Sequence, residues 1–457
     1  MRAALLLSLG MVLIALGVAA CGGGSGGSSI AGGGGSSSST SNGSTSSSSC
    51  VATGGANTSS APNMATVIVD GGPACAPGQV DILYVTVVLC APGSTTNCQT
   101  IDHVQVDTQS YGLRVLSEAL APALAAALTP VPGSQSGQVL AECVQFADGY
   151  SWGPIKQGDM QIAGEQASGI EVQVIGDPAY QNVPSDCSAT GGTQEDTVSS
   201  FGANGILGVG PFVPDCGPGC TSDGNGVYYS CPPSGACASP SVGVSLVQQV
   251  SNPVASFAQD DNGVIVQLPQ LASGGQPTVT GQLVFGIDTE SNNLMTAQTV
   301  LKADGFGYIV TTYPAGSANQ LTQSLIDSGS NAYYFEDDTI PQCTTSGLKG
   351  FYCPPSELSL SATNRGQNGT QSTVTFNVGD AATMNGRNYA AFDDLAGSPV
   401  PSSSSSSSSA SSSSASQGFD WGLPFFFGRN VYTAIACNQD GASCRSTSQG
   451  YGPYYAY

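Results

Sequence analysis

Charged side chains are scarce in this sequence of 457 residues, of which 9% are Asp, Glu, Lys or Arg. Basic residues are the scarcest, because 9 Lys and Arg stand against 31 Asp and Glu, and the net charge is −22. A surface of this sign repels phosphate backbones, which argues against nucleic acid as a partner. The remaining surface must be built from Ser, Thr, Asn, Gln and Gly, as suits an exported protein.

Several motifs of known chemistry are missing. Histidine occurs once, as His103, so a Ser-His-Asp triad would have to use a residue on a predicted strand, where a structural histidine is the simpler interpretation. Gly-x-Ser-x-Gly occurs at residues 23–27, in a Gly/Ser-rich stretch, and at residues 149–153, and a phosphate-binding loop with its Lys does not occur. Acidic pairs such as Asp260-Asp261 lack the spaced loop of a calcium site and are typical of solvated turns. We therefore expect no cofactor and no metal.

Long helical periodicities are also scarce, whereas Gly (61 residues) and Pro (27 residues) are abundant. Alternating β-branched segments bounded by turn residues predict strands at residues 80–88, 169–175, 263–268, 278–285 and 373–378. Two segments are helical candidates, 116–128 and 244–259, and Pro253 interrupts the second. The pattern predicts an all-β fold with minor helices.

The N-terminus predicts export and a lipid anchor. A positive n-region precedes an apolar run over residues 3–18, which is typical of a secretory signal and too short to remain as a spanning helix. The run ends in Val-Ala-Ala-Cys at Cys21, which resembles the site read by the bacterial lipoprotein signal peptidase. Acyl chains on Cys21 would anchor the protein stably. The alternative is a plain secretory signal that happens to be followed by a cysteine.

Low-complexity segments divide the rest of the chain. After the signal peptide at 1–21, residues 22–61 are almost wholly Gly, Ser, Thr and Asn, which predicts a flexible tether with an r.m.s. reach of ~35 Å. The serine run at 402–416 predicts a long surface loop inside the folded region. The remaining ~395 residues exceed one ordinary core, so we expect two lobes, at 62–255 and 256–457.

The cysteine count is even once Cys21 is set aside, because 14 of 15 remain. In an oxidising compartment these are expected to form disulfides. Close spacing favours local bridges within Cys90/Cys98, Cys343/Cys353, Cys437/Cys444 and the cluster Cys216, Cys220, Cys231 and Cys237. A zinc site in that cluster is the alternative, although its spacing is loose and the only histidine is distant.

Two short segments hold the candidate chemistry, and each directly follows an apolar strand. They are Asp107-Thr108-Gln109-Ser110 and, 220 residues later, Asp327-Ser328-Gly329-Ser330. A lone Asp-Ser-Gly is a common turn, so the alternative is that each Asp only caps its loop. Two copies, one in each predicted lobe, favour a paired site. Two carboxylates held close cannot both ionise cheaply, so they share one proton and serve as base and acid.

The chain resembles the pepsin-like aspartic proteases over most of residues 78–435. Besides the two Asp segments, a flap-like hairpin, an apolar-apolar-Gly segment, an inter-lobe region and a closing segment follow the family's order. They are residues 144–153, 201–210, 242–268 (followed by a further matching segment at 281–288) and 421–432. The chain also resembles an uncharacterised bacterial lipoprotein family with pepsin-like motifs. The resemblance implies a bilobal, pepsin-like double β-barrel with a cleft between the lobes.

The resemblance also implies roles for individual residues. Asp107 and Asp327 would form the catalytic dyad. Their supporting residues would bond the outer carboxylate oxygens (Ser110, Ser330), tie the two loops together beneath (Thr108, Ser328) or keep the family's glycine (Gly329). The flap would form around Phe146, Asp148 and Gly149.

Two features depart from the family pattern. Gln109 replaces a glycine that lets backbone N–H groups approach the carboxylates, and its side chain would enter the substrate channel or bond the dyad. At the flap, Phe146 and Arg114 occupy the positions of a hydrogen-bonded Tyr and Trp. Hydroxyl and indole are therefore lost together, with Tyr150 or Trp152 as nearby substitutes.

Two functional hypotheses follow. The first is an exported, lipid-anchored aspartic endopeptidase that cleaves peptides or proteins with Asp107 and Asp327, and the retained Ser110 and Ser330 favour it. The second is a catalytically inactive pepsin fold that binds an extended peptide or a protein in the same cleft, and Gln109 and the altered flap favour it. In both, the lipid anchor holds the protein at the cell envelope. The absence of Asp after the anchoring cysteine favours the outer membrane of a Gram-negative host.

Overall fold

The structure, a computed structural model, describes residues 50–52, 61–146, 149–189, 192–399, 418–437 and 443–457. The predicted signal peptide with Cys21, nearly all of the predicted tether, Asp148 and the serine-rich loop 402–416 lie outside these residues. No helix among the described residues is long and apolar enough to cross a membrane.

Short β-strands make up most of the regular structure. In the first half of the chain they are β1 Met64–Val69, β2 Leu83–Cys90, β3 Cys98–Asp107, β4 Tyr111–Leu116, β5 Thr129–Pro130, β6 Val139–Gln145, β7 Gly149–Ile162, β8 Glu165–Ile175, β9 Thr193–Gln194, β10 Gly205–Val209 and β11 Tyr228–Cys231. In the second half they are β12 Gly263–Gln267, β13 Val279–Phe285, β14 Val300–Lys302, β15 Ile309–Thr312, β16 Gln320–Ile326, β17 Tyr333–Tyr334, β18 Leu358–Arg365, β19 Gln371–Val378, β20 Ala396–Gly397, β21 Asp420–Trp421, β22 Asn430–Ala434 and β23 Tyr454–Ala456.

Helices are few and short. The α-helices are α1 Pro122–Ala127, α2 Ser185–Ser188, α3 Val198–Phe201 and α4 Ala381–Asn385. Turns of 3₁₀ helix lie at Ser117–Ala119, Pro178–Tyr180, Gly217–Thr221, Leu246–Gln248, Pro253–Ser256 and Leu423–Phe425.

The strands assemble into two sheets. The larger runs in the order β11-β6-β7-β8-β4-β10-β3-β2-β1-β13-β12-β22-β23-β14, and the smaller in the order β19-β18-β15-β16-β21-β17-β20. The two halves of the chain meet where β1 pairs antiparallel with β13, from Met64 opposite Val284 to Val69 opposite Val279. The predicted all-β, bilobal double barrel with minor helices is confirmed. The lobe boundary between residues 255 and 256 stays a prediction.

Side-chain alternation explains why these segments are strands. In β19, Val374, Phe376 and Val378 are buried while the residues between them are at least partly exposed, as expected for a strand with one face on the core. The central strand β10 is instead buried along its whole length, because it lies between β3 and β4. All five segments predicted as strands overlap observed strands.

One helical candidate is wrong. Residues 244–259 form no α-helix but two separate 3₁₀ turns, at Leu246–Gln248 and Pro253–Ser256. Pro253 cannot donate a helical hydrogen bond, and the Asn252 side chain accepts from the Val254 N–H and begins a new turn there. The other candidate, 116–128, is one 3₁₀ turn followed by α1.

The described cysteines are all paired in disulfides. Three bridges expected from close spacing are present, Cys90–Cys98, Cys343–Cys353 and Cys437–Cys444. The four clustered cysteines form two more, Cys216–Cys220 and Cys231–Cys237. Two longer bridges were not predicted, Cys50–Cys75 and Cys143–Cys187. Disulfides persist in oxidising compartments, so they indicate an exported, non-cytoplasmic protein.

Candidate functional site

The two Asp segments are built by the same local arrangement in both halves of the chain. β3 ends at Asp107 and pairs in parallel with β10, with Leu207 opposite Val106. β16 ends one residue before Asp327 and pairs in parallel with β21, with Trp421 opposite Ile326. Each Asp therefore lies at the end of a strand that pairs in parallel with a later strand.

Glycine is required at equivalent places in the two supporting segments. A Cβ on Gly208, in β10, would lie 2.3 Å from the backbone N of Tyr111, just past the first Asp segment. A Cβ on Gly422, directly after β21, would lie 2.1 Å from the carbonyl O of Ala332, just past the second. Real Cβ atoms do not approach this closely, so the apolar-Gly pattern is needed to place the Asp loops.

Hydrogen bonds across the two halves hold the Asp loops together. The Thr108 hydroxyl donates to the carbonyl O of Ile326 at 3.1 Å and accepts from the Ser328 N–H at 3.0 Å. The Ser328 hydroxyl donates to the carbonyl O of Val106 at 2.8 Å. The Gln105 amide adds a bond to the carbonyl O of Gly329 at 2.8 Å. Each residue after an Asp thus bonds the backbone that precedes the other Asp.

Both Asp carboxyls are fully buried and bonded to their own loops. Oδ1 of Asp107 accepts the N–H groups of Gln109 at 2.7 Å and Ser110 at 3.1 Å. Oδ1 of Asp327 accepts the Gly329 N–H at 2.7 Å, and its Oδ2 accepts the Ser330 hydroxyl at 3.0 Å. The two loops are not equivalent. The Ser330 hydroxyl bonds Asp327, whereas the Ser110 hydroxyl has no hydrogen-bond partner among the described residues, although it lowers the pKa of Asp107.

The two carboxyls shift each other's pKa. Oδ2 of Asp107 is buried and has no hydrogen-bond donor among the described residues. Its remaining partner is the Asp327 carboxyl, and this contact lowers the pKa of Asp107 and raises that of Asp327. Two carboxylates hydrogen-bond only when a proton lies between them.

The pKa values of the two carboxyls differ in a useful way. Burial raises the pKa of Asp107 to about 6, against the hydrogen bonds that lower it. Burial, and then the charges of Asp107 and Asp420, raise the pKa of Asp327 well above its ordinary value. Both pKa values thus lie above the ordinary value of an aspartate, and Asp107 is the more acidic member.

The Gln109 side chain bridges the two halves of the chain. Its Nε2 donates to the carbonyl O of Ile326 at 2.9 Å and to the hydroxyl O of Tyr455 at 2.7 Å. Tyr455 in turn donates to the carbonyl O of Gly307 at 2.9 Å. Both donors of the Gln109 side chain are thus directed to these two oxygens, and the side chain bonds neither Asp carboxyl.

A third carboxyl, Asp420, belongs to the site and was missed by sequence reasoning. It is the first residue of β21, and its Oδ2 lies 2.5 Å from the Ser330 hydroxyl that also contacts Asp327. Burial raises the pKa of Asp420 to about 8, the Ser330 bond opposes this, and the charge of Asp107 adds to it. The available signal was an acidic residue in the apolar run that precedes Gly422.

The predicted flap is a hairpin braced from several sides. β6 pairs with β7 up to Gln145 opposite Tyr150, and the Phe146 N–H donates to the Gly149 carbonyl at 2.8 Å. β11 pairs with the outer edge of β6, β9 pairs with β7, and a disulfide joins Cys143 to Cys187. The Phe146 ring is buried against the edge of Phe201 with 5.8 Å between ring centroids. Phe146 therefore packs into the first half of the molecule.

Neither aromatic substitute replaces the missing flap hydrogen bond. The indole of Trp152 is buried and donates to the carbonyl O of Tyr180 at 2.7 Å, and the Tyr150 hydroxyl donates to the Gln194 side chain at 3.4 Å.

Arg114 fixes the base of the flap through a buried ion-pair cluster. Its Nη2 lies 2.7 Å from Oε1 of Glu142, on β6, and 3.0 Å from Oδ2 of Asp215. The Tyr228 hydroxyl donates to the other Asp215 oxygen at 2.8 Å. Burial, then the neighbouring Glu142, raise the pKa of Asp215 well above its ordinary value. The ion pairs of Arg114 thus stand where the resemblance to pepsin-like proteases implied an aromatic hydrogen bond.

No metal is implied by the arrangement. No group of three or more His, Cys, Asp or Glu side chains in the described part of the chain is placed to hold a metal ion. The Ser330 hydroxyl instead connects Asp327 and Asp420.

Fold and site together define an all-β protein of two sheets, with two buried aspartates on loops that are bonded to each other. The chain belongs to the family described as a protein of unknown function, DUF3443, whose model matches residues 59–457. Among solved structures it is similar to an aspartic proteinase from Irpex lacteus. Identity is 16%, the TM-score is 0.41, and the match covers 81% of this chain and 94% of that one. No curated protein matches the chain.

Proposed function

We propose that this protein is an exported aspartic endopeptidase that hydrolyses peptide bonds with Asp107 and Asp327. The observation that supports this most is the pair of fully buried carboxyls, on two loops bonded to each other, that shift each other's pKa. Such a pair supplies an acid and a base at one place, as hydrolysis without a metal or a nucleophilic side chain requires.

The difference between the two pKa values assigns the roles. Asp107, the more acidic member, takes a proton from water as the water oxygen bonds the scissile carbonyl carbon. Asp327 gives its proton to the carbonyl oxygen. When the tetrahedral intermediate collapses, the C–N bond breaks and the proton on Asp107 passes to the leaving amine. One hydroxyl of the intermediate returns its proton to Asp327 as the carbonyl of the product acid re-forms. The dyad then returns to its singly protonated state.

Peptide cleavage tests this function directly. Full-length protein with its disulfides intact is incubated with a diverse peptide library from pH 3 to 7, beside Asp107→Asn, Asp327→Asn and the exposed control Asp338→Asn. We expect cleavage by the wild type and the control, and a loss of at least about 10³-fold in both dyad variants. Cleavage that persists in Asp107→Asn would refute the mechanism.

The second candidate function is a binding module without catalysis. The observation that favours it is that neither Asp107 nor Asp327 has exposed surface, so a peptide reaches the dyad only if the residues above it move. The bridge from Gln109 to the other half also resists such opening. Silence of the folded wild type, together with saturable binding of extended peptides, would support this alternative. Activity that appears only in Gln109→Gly would identify a protease restrained at one position.

We further propose that Cys21 is lipid-modified and holds the folded domain at the cell envelope, in the outer membrane of a Gram-negative host. The seven disulfides support export. Cys50 lies within the predicted tether of residues 22–61 and is bonded to Cys75 of the folded domain, so the free part of the tether would end before residue 50.

A further inference from the structure

The Ser330 hydroxyl lies between two buried carboxyls. It is 3.0 Å from Oδ2 of Asp327 and 2.5 Å from Oδ2 of Asp420. A serine hydroxyl has one hydrogen and can donate to one of these oxygens at a time. The second contact must therefore use a hydrogen that belongs to the carboxyl, or remain a contact between two acceptors.

The other bonds of the two carboxyls decide which one keeps its own hydrogen. Asp327 has a second donor, because its Oδ1 accepts the Gly329 N–H. Asp420 has none among the described residues, since its Oδ1 is buried without a partner. An ionised Asp420 would thus be a buried charge supported by one hydroxyl at most, which is strongly unfavourable.

Among the described residues, no cationic side chain contributes to the pKa shift of Asp420. In the sheet, Leu325 of β16 and Tyr334 of β17 lie opposite Asp420. The charges that shift the pKa values of these carboxyls are those of other carboxyls of the site, Asp107 acting on Asp420, and Asp107 and Asp420 acting on Asp327. A third negative charge at this place would oppose the first two.

We propose that Asp420 is a protonated positioning residue, whose carboxyl donates to Ser330 and so directs the Ser330 hydroxyl toward Asp327. The chain of donors then runs from Asp420 to Ser330 to Asp327, and the site carries one negative charge for three carboxyls. Asp420 touches neither water nor peptide in the reaction and acts through Ser330. This inference rests on the proposed function for its effect on rate, but the proton on Asp420 can be measured without catalysis.

Titration of the carboxyl tests the proton directly. In full-length protein labelled with ¹³C in aspartate, the Asp420 carboxyl signal is assigned by through-bond correlation, so that the assignment needs no variant. We expect it to stay in the protonated position through pH 7 and to move as the pH rises through about 8. An Asp420 signal that titrates near its ordinary pKa of about 4 would overturn the proposal.

Two substitutions separate the effect on rate from a structural effect. Asp420→Asn is neutral at every pH and keeps an N–H donor for Ser330, whereas Asp420→Ala removes the donor. The wild-type rate is expected to fall as the pH rises through about 8, when Asp420 ionises. Asp420→Asn should lose this fall and keep a rate within about threefold of wild type at pH 6, and Asp420→Ala should lose about tenfold at that pH, about 1.4 kcal/mol.

The outcomes distinguish this inference from the proposed function. A wild type that cleaves nothing refutes the peptidase, and the titration still decides whether Asp420 holds a proton. If the wild type cleaves peptides and the alkaline limb of its pH–rate profile is unchanged in Asp420→Asn, the positioning role is refuted. If Asp420→Asn does not fold, Ser330→Ala replaces it. Ser330→Ala should shift the acid and the alkaline limbs of the pH–rate profile together, because it removes the hydroxyl that connects Asp420 to Asp327.

Discussion

Gln109 shows how one side chain can alter a site without touching the reacting groups. Its Nε2 makes two bonds to the other half of the chain, at Ile326 and at Tyr455. These contacts leave the carboxyls free of side-chain amide bonds, so its effect is exerted on the separation of the lobes. A glycine at this position would allow the lobes to move apart more easily.

We predict that Gln109→Gly lowers the free energy of unfolding by about 2 kcal/mol, because two buried hydrogen bonds are lost. Tyr455→Phe removes one of them and the bond to Gly307, and should cost about 1–2 kcal/mol. Guanidinium unfolding of both variants and of the double variant measures this. If the two losses are fully additive, the two residues do not stabilise the fold through a common contact.

His103 predicts a pH dependence of stability. It lies 3.3 Å from Asp70 and 2.9 Å from Asp102. Burial lowers its pKa, but hydrogen bonds to Asp102 and Asp70 outweigh it and raise the pKa from 6.5 to about 9. Because the folded pKa is the higher one, the stabilisation is fully present below pH 6.5 and is lost as the pH rises through about 9.

The corresponding variant is His103→Gln, which cannot be charged. Relative to wild type it should be destabilised on the order of 1 kcal/mol at pH 6, since the ion pairs are partly screened by solvent, and by much less at pH 10. Thermal unfolding of both proteins at pH 6, 8 and 10 gives the difference. A difference in melting temperature that grows with pH would contradict the assignment of the charge.

At the scale of elements, the site depends on a strand and glycine arrangement that occurs twice. β10 and β21 support the two Asp loops in parallel register, and Gly208 and Gly422 allow the close approach. The flap hairpin is held separately, by two extra strand pairings, the Cys143–Cys187 bridge and the Arg114 cluster. Substrate entry by flap movement would have to disturb these contacts.

Gly422→Ala is predicted to destabilise the protein by about 3 kcal/mol, because the added methyl would overlap the backbone at Ala332. The matched control is Gly305→Ala, where an added Cβ meets nothing within 4 Å. Its unfolding free energy should change by less than about 0.5 kcal/mol. Equal losses in the two variants would mean that glycine is not required for the placement of the second loop.

At the scale of the whole molecule, the first strand, β1, connects the two halves of the chain. β1 pairs with β2 on one side and with β13 on the other, so the first strand of the fold joins the two halves of the chain. The tether preceding it would then transmit the position of the anchor to the middle of the large sheet.

Lipid anchoring predicts a change of location. Cys21→Ala should move the protein from the membrane fraction to the soluble fraction of envelope extracts, because the acyl chains have no other attachment point in the predicted signal. Ser25→Ala, four residues further on, should remain in the membrane fraction. Retention of Cys21→Ala in the membrane fraction would refute Cys21 as the attachment point. A wild type found in the soluble fraction would support export without anchoring.

Local patterns in the sequence were sufficient for much of this protein. The strand segments, the all-β class, the two Asp segments and the short disulfides depend on side-chain alternation, turn residues and spacing, and these act over a few residues. The segment at 244–259 failed because its apolar spacing was compatible with a helix while capping at Asn252 and the missing donor of Pro253 favoured separate turns.

Only the tertiary structure decided how the site is completed. Gln109 meets Tyr455 across 346 positions, Arg114 meets Asp215 across 101, and Asp420 meets Ser330 across 90. No local pattern encodes such pairs, because their partners come together only when the sheets form. The sequence by itself determined which carboxyls would face each other. The fold decided that a third carboxyl would join them and that an amide would bridge the two lobes beside them.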